Sequence, residues 1–256
     1  MARRRGRRSG GRGGRDLSEE SAARPGAEGD GLRILAVADA VSSFVYTESF
    51  PHNLPAFDVV LSAGDLPGYL LEFMATKLRV PPVYVVGNHG HAYLRSADDP
   101  DEIRLPGGCI NAHRRVVETG GLLIAGFEGS ARYRPGPHQY SESAYRAMVA
   151  AMTPLLLLNR LRYGRAVDVL LTHAPPKGPH EGSDYPHRGV AAFNHFHRRW
   201  RPRLHVHGHV HLVGSNEPRE YVSEEGVRVI NAYEFALIDV ARAARAARHE
   251  ASPPVP

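Results

Sequence analysis

The first half of the chain alternates continuous apolar runs with polar residues and one segment of helical periodicity. Three apolar runs at 32–39, 57–65 and 80–89, LRILAVAD, FDVVLSAGD and VPPVYVVGNH, each end in polar residues. Between the second and third runs, GYLLEFMATKL at 68–78 spaces its apolar residues as one face of a helix. Continuous apolar strands separated by a helix are typical of parallel β-α-β units, which bind ligands at the carboxyl ends of their strands.

The second half continues this pattern, with no internal repeat and no visible boundary between two folded domains. Apolar runs at 120–130 and 165–176 predict two further buried strands, and RLHVHGHVH predicts a strand that meets a loop. The remaining predicted elements are a long helix over 142–164 that bends near Pro154, a short helix over 191–200, and two strands within 220–240 around Asn231.

The composition is typical of a folded protein. The 256 residues are 42% hydrophobic, yet no stretch approaches the roughly 20 consecutive apolar residues of a membrane span. The N-terminus lacks the apolar segment of a signal peptide, and a single cysteine, Cys109, excludes an internal disulfide framework. We therefore expect a cytoplasmic protein without a membrane partner. It would fold over residues 31–242 and end in a flexible tail at 243–256.

The positive charge is concentrated at the N-terminus. The formal net charge is +5, but arginines crowd the opening segment MARRRGRRSGGRGGR and the remainder of the chain is close to neutral. An Arg/Gly-rich tract buries little apolar area, so residues 1–30 are expected to form a disordered tail. Two interpretations remain open. The tail binds nucleic acid through its charge, or it is a solvated extension that begins at a wrongly assigned start site.

Residues that commonly bind metals follow five of the predicted strands. They are Asp39, Asp65, the pair Asn88-His89, His173 in THAPP, and His209 and His211 in HVHGHVH. The last stretch has a histidine at every second position, which a continued strand would send to one face. That arrangement is costly in a packed core, but it suits a metal, for which neutral imidazole is a common ligand.

Four of these motifs resemble, in order, those of the calcineurin-like metallophosphoesterase superfamily. The motifs are GD (Gly64-Asp65), GNH (Gly87-Asn88-His89), the histidine of THAPP, and GHxH (Gly208 to His211). The resemblance covers about residues 32–240. It implies an α/β fold, a two-layer β-sandwich flanked by helices in the four-layer order αββα. It also implies a site for two divalent ions.

The same resemblance implies a role for each member of the series. Asp65 would bridge the two ions, and the other ligands would divide between them: Asn88, His173 and His209 on one, Asp39 and His211 on the other. His89 would not bind metal but would donate a proton to the leaving group or steady the phosphoryl oxygens. Mixed oxygen and nitrogen ligands suit Mn, Fe or Zn. Such ions activate a hydroxide at neutral pH.

Two positions depart from the family pattern. The first motif is normally Asp-x-His, but Val41 stands where the histidine would be, and Gly90 replaces the acidic residue that normally follows GNH. Water or another side chain would then complete the coordination of the ion on Asp39 and His211. Alternatively, only the ion on Asn88, His173 and His209 binds tightly. The side chains considered as replacements are Ser42, Ser43 and His91, together with His180, Asp184 and His187 in the polar stretch 173–189.

Several other residues have both a functional and a plain structural interpretation. Arg132 in GFEGSARY would hold a phosphate oxygen or simply be exposed. His205 and His207 would support the ligands or pack in the core. Trp200 would stack on a base or close an edge of the core, and Cys109 is expected to be a buried or neutral thiol.

Together these patterns predict a metal-dependent phosphoesterase that cleaves a phosphate ester by means of a metal-activated hydroxide. Phosphodiesters are the favoured substrates, whereas the oligomeric state is not predicted. The alternative is a non-catalytic module that retains metal or phosphate at a degenerate site and binds nucleic acid through its tail.

Overall fold

The computed structural model describes residues 31–94, 103–212, 214 and 218–241. The predicted tails at 1–30 and 243–256 lie outside these residues. The described chain contains thirteen strands and five helices. In chain order they are β1 (Gly31–Ala38), β2 (Val59–Ser62), α1 (Gly68–Lys77), β3 (Val83–Tyr84), α2 (Gly90–Tyr93), β4 (Ile110–Asn111), β5 (Val116–Thr119), β6 (Leu122–Phe127), β7 (Ser130–Ala131), β8 (Gln139–Tyr140), α3 (Glu142–Ala151), α4 (Thr153–Tyr163), β9 (Val169–Thr172), α5 (Ala191–Trp200), β10 (Leu204–His207), β11 (Glu220–Val222), β12 (Arg228–Asn231) and β13 (Glu234–Ala241).

Two large sheets organise the fold. The first has the order β13-β1-β2-β3-β4, in which β1 to β4 are parallel and β13 is antiparallel to β1. The second has the order β11-β12-β10-β9-β6-β5, with four parallel central strands between two antiparallel edges. A short parallel pair, β7-β8, stands apart. Because parallel strands share a direction, their carboxyl ends collect at one edge of each sheet.

The side chains of each strand alternate between two apolar layers. Ile34 and Leu61 of the first sheet pack against residues of the second sheet such as Ile124 and Val206. The intervening residues face outward: Leu35, Val37 and Val60 pack with Leu70 and Met74 of α1, and Phe127 and Leu170 pack with Tyr145 of α3 and Phe193 of α5. Both sheets are thus covered on both faces, as parallel sheets require. The predicted four-layer αββα architecture is confirmed.

The predicted helix over 142–164 is wrong in its continuity. The chain forms two helices that meet at Met152, the last cap residue of α3 and the first of α4. Pro154 lacks an N–H and would clash with a preceding carbonyl inside a helix, but it fits the first turn of a new one. Helix α3 packs its apolar face into the core, whereas α4 buries Leu156 there and exposes most of its other leucines. On α4, Leu155, Leu157, Leu158 and Leu161 are exposed.

Two strand predictions also need correction. The segment 220–240 forms three strands, β11 to β13, rather than two, because a turn at Gly226 separates β11 from β12. The run at 80–89 is a strand only at β3, so Asn88 and His89 lie in the following loop. Among the described residues, no helix is long and apolar enough to cross a membrane.

Candidate metal centre

Three of the predicted ligands meet where the carboxyl edges of the two sheets come together. Asp39 follows β1 and Asp65 follows β2 in the first sheet, while His173 follows β9 in the second. One ligand atom from each lies within 4.8 Å of the other two. Two carboxylates and an imidazole at this spacing can bind a single divalent ion.

The Nε2 atom of the His173 ring faces two oxygen acceptors. Its Nδ1–H donates to the Ala63 carbonyl at 2.8 Å, while Nε2 lies 2.8 Å from Asn88 Oδ1 and 3.2 Å from Asp65 Oδ2. Both oxygens are acceptors, so Nε2 must carry a proton unless a cation lies between the three atoms. Burial lowers the pKa of His173, but the charges of Asp65 and Asp39 outweigh it and raise the pKa to about 9. A cation in place of that proton would satisfy the same three atoms.

Asp39 provides an independent test of whether the site suits a metal. Its side chain is 1% exposed, and Oδ2 accepts the backbone N–H of His209 at 2.9 Å. The other oxygen, Oδ1, is buried and accepts no hydrogen bond, with His211 Nε2 at 3.9 Å. Burial raises the pKa of Asp39 to about 7. A buried carboxylate oxygen without a donor is costly, and a divalent ion would remove that cost, so the residues fit the metal.

The backbone is strained where three of the predicted ligands lie. Asp39, Asp65 and His209 all adopt left-handed conformations, with φ of 64°, 53° and 69°. Residues with a Cβ seldom adopt this region, and such strain persists only where the surroundings hold it in place. The chain thus turns sharply within three residues of the end of each strand, at Asp39 after β1, Asp65 after β2 and His209 after β10.

The glycines of the motifs make room for the ligands. A Cβ on Gly208 would lie 2.5 Å from Asp39 Oδ2, and one on Gly64 would lie 2.8 Å from His173 Nδ1. A Cβ on Gly87 would collide with the Asp65 carboxylate. The GD, GNH and GHxH motifs therefore need glycine because a backbone packs directly against a ligand side chain.

The sequence of the whole site matches a known family. The family model described as calcineurin-like phosphoesterase matches residues 32–213. The chain belongs to the calcineurin-like phosphoesterases. The predicted family is thereby confirmed.

Solved structures have the same fold as this phosphoesterase. The protein TT1561 of Thermus thermophilus matches with a TM-score of 0.51 and 15% identity, covering 83% of this chain and 100% of its own. Another crystal structure matches with a TM-score of 0.56 and 15% identity over 82% of this chain and 95% of that one. At this identity the likeness shows the fold alone. No curated protein matches the sequence significantly.

His209 of the phosphoesterase is oriented by the polar stretch 173–189. Its Nε2–H donates to the carbonyl of Pro186 at 2.9 Å, which leaves Nδ1 with a lone pair. The ring lies 4.8 Å from that of His173 and 4.9 Å from that of His187, measured between centroids. A carbonyl that fixes the tautomer of a histidine in this way is common at metal sites.

The three replacement candidates in the same stretch differ in position. His187 lies beside His209, and its Nδ1 is 2.7 Å from Asp184 Oδ1, so Nε2 is free to act as an acceptor. His180 is buried elsewhere, with its Nδ1 2.8 Å from Nε2 of His207. The structure therefore places the Asp184–His187 pair, and not His180, next to a predicted ligand.

The two remaining histidines of HVHGHVH do not reach the metal centre. The strand ends at His207, and the left-handed His209 turns the chain, so the four rings do not share one face. Thr172 O–H donates to the Ala174 carbonyl at 2.6 Å and accepts from His205 Nε2 at 2.8 Å. His205 Nδ1 in turn accepts from His197 Nε2 at 2.9 Å. His205 thus fastens the second sheet to α5, a contact that the sequence did not reveal.

Asn88 and His89 open onto a cleft of about 400 Å³. Asn88 Nδ2 donates to the Tyr133 hydroxyl at 3.2 Å, which turns Oδ1 toward His173. His89 is exposed, and its backbone N–H donates to Asp65 Oδ1 at 2.9 Å. Arg134 lines the cleft. Tyr133 and Arg134 were missed because a contact across the fold, and not a motif, brings them to the site.

The two departures from the family pattern have visible surroundings. Val41 is 40% exposed, and the neighbouring Ser42 is buried with its Oγ accepting the Phe44 N–H at 3.3 Å. Ser43 is exposed, and the side chain of His91 lies outside the described residues. A Cβ on Gly90 would collide with the side chain of Val86. The acidic residue of the family motif therefore has no room here.

The other side chains singled out by the sequence have ordinary surroundings. Arg132 lines a different cleft from Asn88 and His89, with its Nε donating to the Gln139 carbonyl at 3.4 Å. Trp200 is buried at the edge of the helix layer, as its structural interpretation predicted. Cys109 is half-buried, and burial raises the pKa of its thiol to about 11, so the thiol is neutral.

Proposed function

We propose that this protein hydrolyses phosphate esters, phosphodiesters in particular, in the cytoplasm with the help of one or two divalent ions such as Mn, Fe or Zn. One observation carries the proposal. His173 Nε2, Asp65 Oδ2 and Asn88 Oδ1 converge on one point, beside a buried Asp39 oxygen that accepts no hydrogen bond. Such a set of lone pairs suits a cation. In a member of a phosphoesterase family, a bound cation would serve the hydrolysis of a phosphate ester.

The side chains divide the work of the reaction. When bound, divalent ions supply positive charge that activates water and neutralises the phosphoryl oxygens. Asn88, oriented by Tyr133, stabilises the negative charge that develops on the phosphoryl group. His89, which is exposed in the cleft of about 400 Å³, donates a proton to the departing oxygen. Arg134 lines that cleft and would hold a charged leaving group.

In this proposal the Asp184–His187 pair takes the place of the histidine that Val41 replaces. Asp39 and His211 lie 3.9 Å apart and need a further ligand to hold an ion firmly. His187 lies against His209, and its contact with Asp184 occupies Nδ1, so Nε2 is the atom left to bind an ion. Histidine ligands are commonly fixed by a carboxylate in this way.

The proposal is tested by metal content and hydrolysis together. The protein is treated with EDTA, loaded with Mn²⁺, freed of excess metal and analysed by mass spectrometry. Bis(p-nitrophenyl) phosphate is the substrate. We expect bound Mn²⁺ and turnover in the wild type, and loss of both in Asp65→Asn and His173→Gln. Exposed His195→Ala is the matched control. Tight metal binding without turnover of any phosphate ester would instead favour the non-catalytic module. The departures from the family pattern at Val41 and Gly90 are the observation that supports this alternative.

A further inference from the structure

A second cleft, of about 720 Å³, lies on the far side of the stretch that orients His209. Within that stretch, Pro186 and His187 contact His209, while Tyr185 and Arg188 line the cleft. One loop therefore forms a wall of both the metal centre and the cleft. The volume suits a ligand of the size of a nucleotide.

Three cations line this cleft: Arg132, Lys177 and Arg188. All three are exposed, and within the described part of the chain none forms an ion pair with a carboxylate. Unpaired arginines in a concave site are well suited to phosphate, because the guanidinium binds two oxygens at once.

The two carboxylates of the cleft have structural partners. Glu142 accepts the backbone N–H of Ala191 at 3.1 Å, and Glu181 accepts that of Gly189 at 3.1 Å. They tie the loop and the start of α5 in place. The cleft is thus lined by three positive and two negative side chains, and both negative ones also hold the backbone of the loop and of α5.

An aromatic surface accompanies the cations. The Arg188 guanidinium lies 3.8 Å from the centroid of the Tyr185 ring, and Tyr185 is 56% exposed. One face of the ring is thus held by Arg188, and the exposed remainder offers a surface for stacking. Bases stack on such rings largely without regard to sequence.

The cleft is also linked to the candidate catalytic groups through the chain. Arg132 lines the cleft, and the next residue, Tyr133, contacts Asn88. A substrate with its scissile phosphate near Asn88 would have the cleft as a neighbouring site.

We infer that the cleft binds the nucleotide part of the substrate, with the base on Tyr185 and a second phosphate among Arg132, Lys177 and Arg188. The substrate class is then a nucleotide ester with at least two phosphates, one at the metal centre and one in the cleft. This inference rests on the proposed function, and it narrows the substrate.

Binding of ADP to the EDTA-treated protein, measured by titration calorimetry, tests the cleft without any turnover. We expect ADP to bind, and Arg132→Ala/Arg188→Ala to weaken binding by at least about tenfold. Arg160→Ala, which removes an exposed arginine on α4, is the matched control and should bind ADP as the wild type does. Unchanged affinity in the double variant, or no binding of ADP by the wild type, would overturn the inference.

A second comparison separates the base from the phosphates. Tyr185→Phe should keep the affinity for ADP, whereas Tyr185→Ala should lose it. Inorganic pyrophosphate, which has no base, should bind the two variants equally. Equal binding of ADP by all three proteins would contradict the stacking role. If ADP binds as expected but no phosphate ester is hydrolysed by the metal-loaded protein, the proposed function fails and the cleft remains a nucleotide site.

Discussion

Acidification should destabilise the fold through three buried histidines, His197, His205 and His207. Burial lowers the pKa of His197 to about 4 and that of His207 to about 3, and it lowers the pKa of His205 well below the usual value. In the unfolded chain a histidine has a pKa of about 6.5. Below that pH these histidines bind protons in the unfolded state but stay neutral in the folded state. The contribution of these three histidines to stability is therefore complete above about pH 6.5, and it falls as the pH drops toward their folded pKa values.

The size of the effect follows from the number of protons. Each such histidine contributes about 1.4 kcal/mol per pH unit, so three give about 4 kcal/mol per unit between about pH 6 and pH 5. In metal-free protein, Asp39 acts in the opposite direction, because its raised pKa of about 7 lets the folded state bind an extra proton. His209, whose pKa is lowered by burial, offsets the effect of Asp39. Since domains have about 5–15 kcal/mol of net stability, a slope of this size should remove a large part of it by about pH 5.

Urea unfolding of the EDTA-treated protein, followed by Trp200 fluorescence and circular dichroism, measures the slope. His197→Leu should reduce the slope by about 1.4 kcal/mol per pH unit, since one proton is removed from the balance. His195→Ala, on the exposed face of the same helix, should leave the slope as it is. A wild-type slope below about 1.4 kcal/mol per unit would refute the reasoning, because the buried histidines would then be charged in the folded state.

Three further predictions concern the metal centre and the N-terminal segment. Gly87→Ala should reduce the bound Mn²⁺ and lower the free energy of unfolding in urea by about 1–3 kcal/mol, because the added Cβ would meet the Asp65 carboxylate. Unchanged metal content would argue against that packing. His187→Ala should bind one Mn²⁺ fewer than the wild type by mass spectrometry, whereas exposed His52→Ala should bind as many. Equal Mn²⁺ content in both variants would remove His187 from the ligand set. Deletion of residues 1–30 should leave hydrolysis intact and abolish any salt-sensitive binding of nucleic acid, as measured by filter binding at two salt concentrations.

Much of the fold and part of the site could be predicted from local pattern. The apolar runs before Asp39, Asp65 and His173 are strands because continuous β-branched and aliphatic residues suit a sheet that is covered on both faces. Their common parallel direction then brings the residues after each strand to one edge. The break at Met152 was missed because a proline permits either a bent helix or a new one, and only packing selects between them.

The sequence by itself therefore determined the long buried strands, the order of the motifs and the family, because these depend on periodicity and on residues close together in the chain. Only the tertiary structure decided which histidines of HVHGHVH turn toward the candidate metal centre, since that depends on the left-handed backbone at His209. It also decided that Asn88, 85 residues before His173, is oriented by Tyr133. Such contacts cross from one sheet to the other. They depend on how the layers pack, and no local pattern of side chains encodes the distance between residues on different sheets.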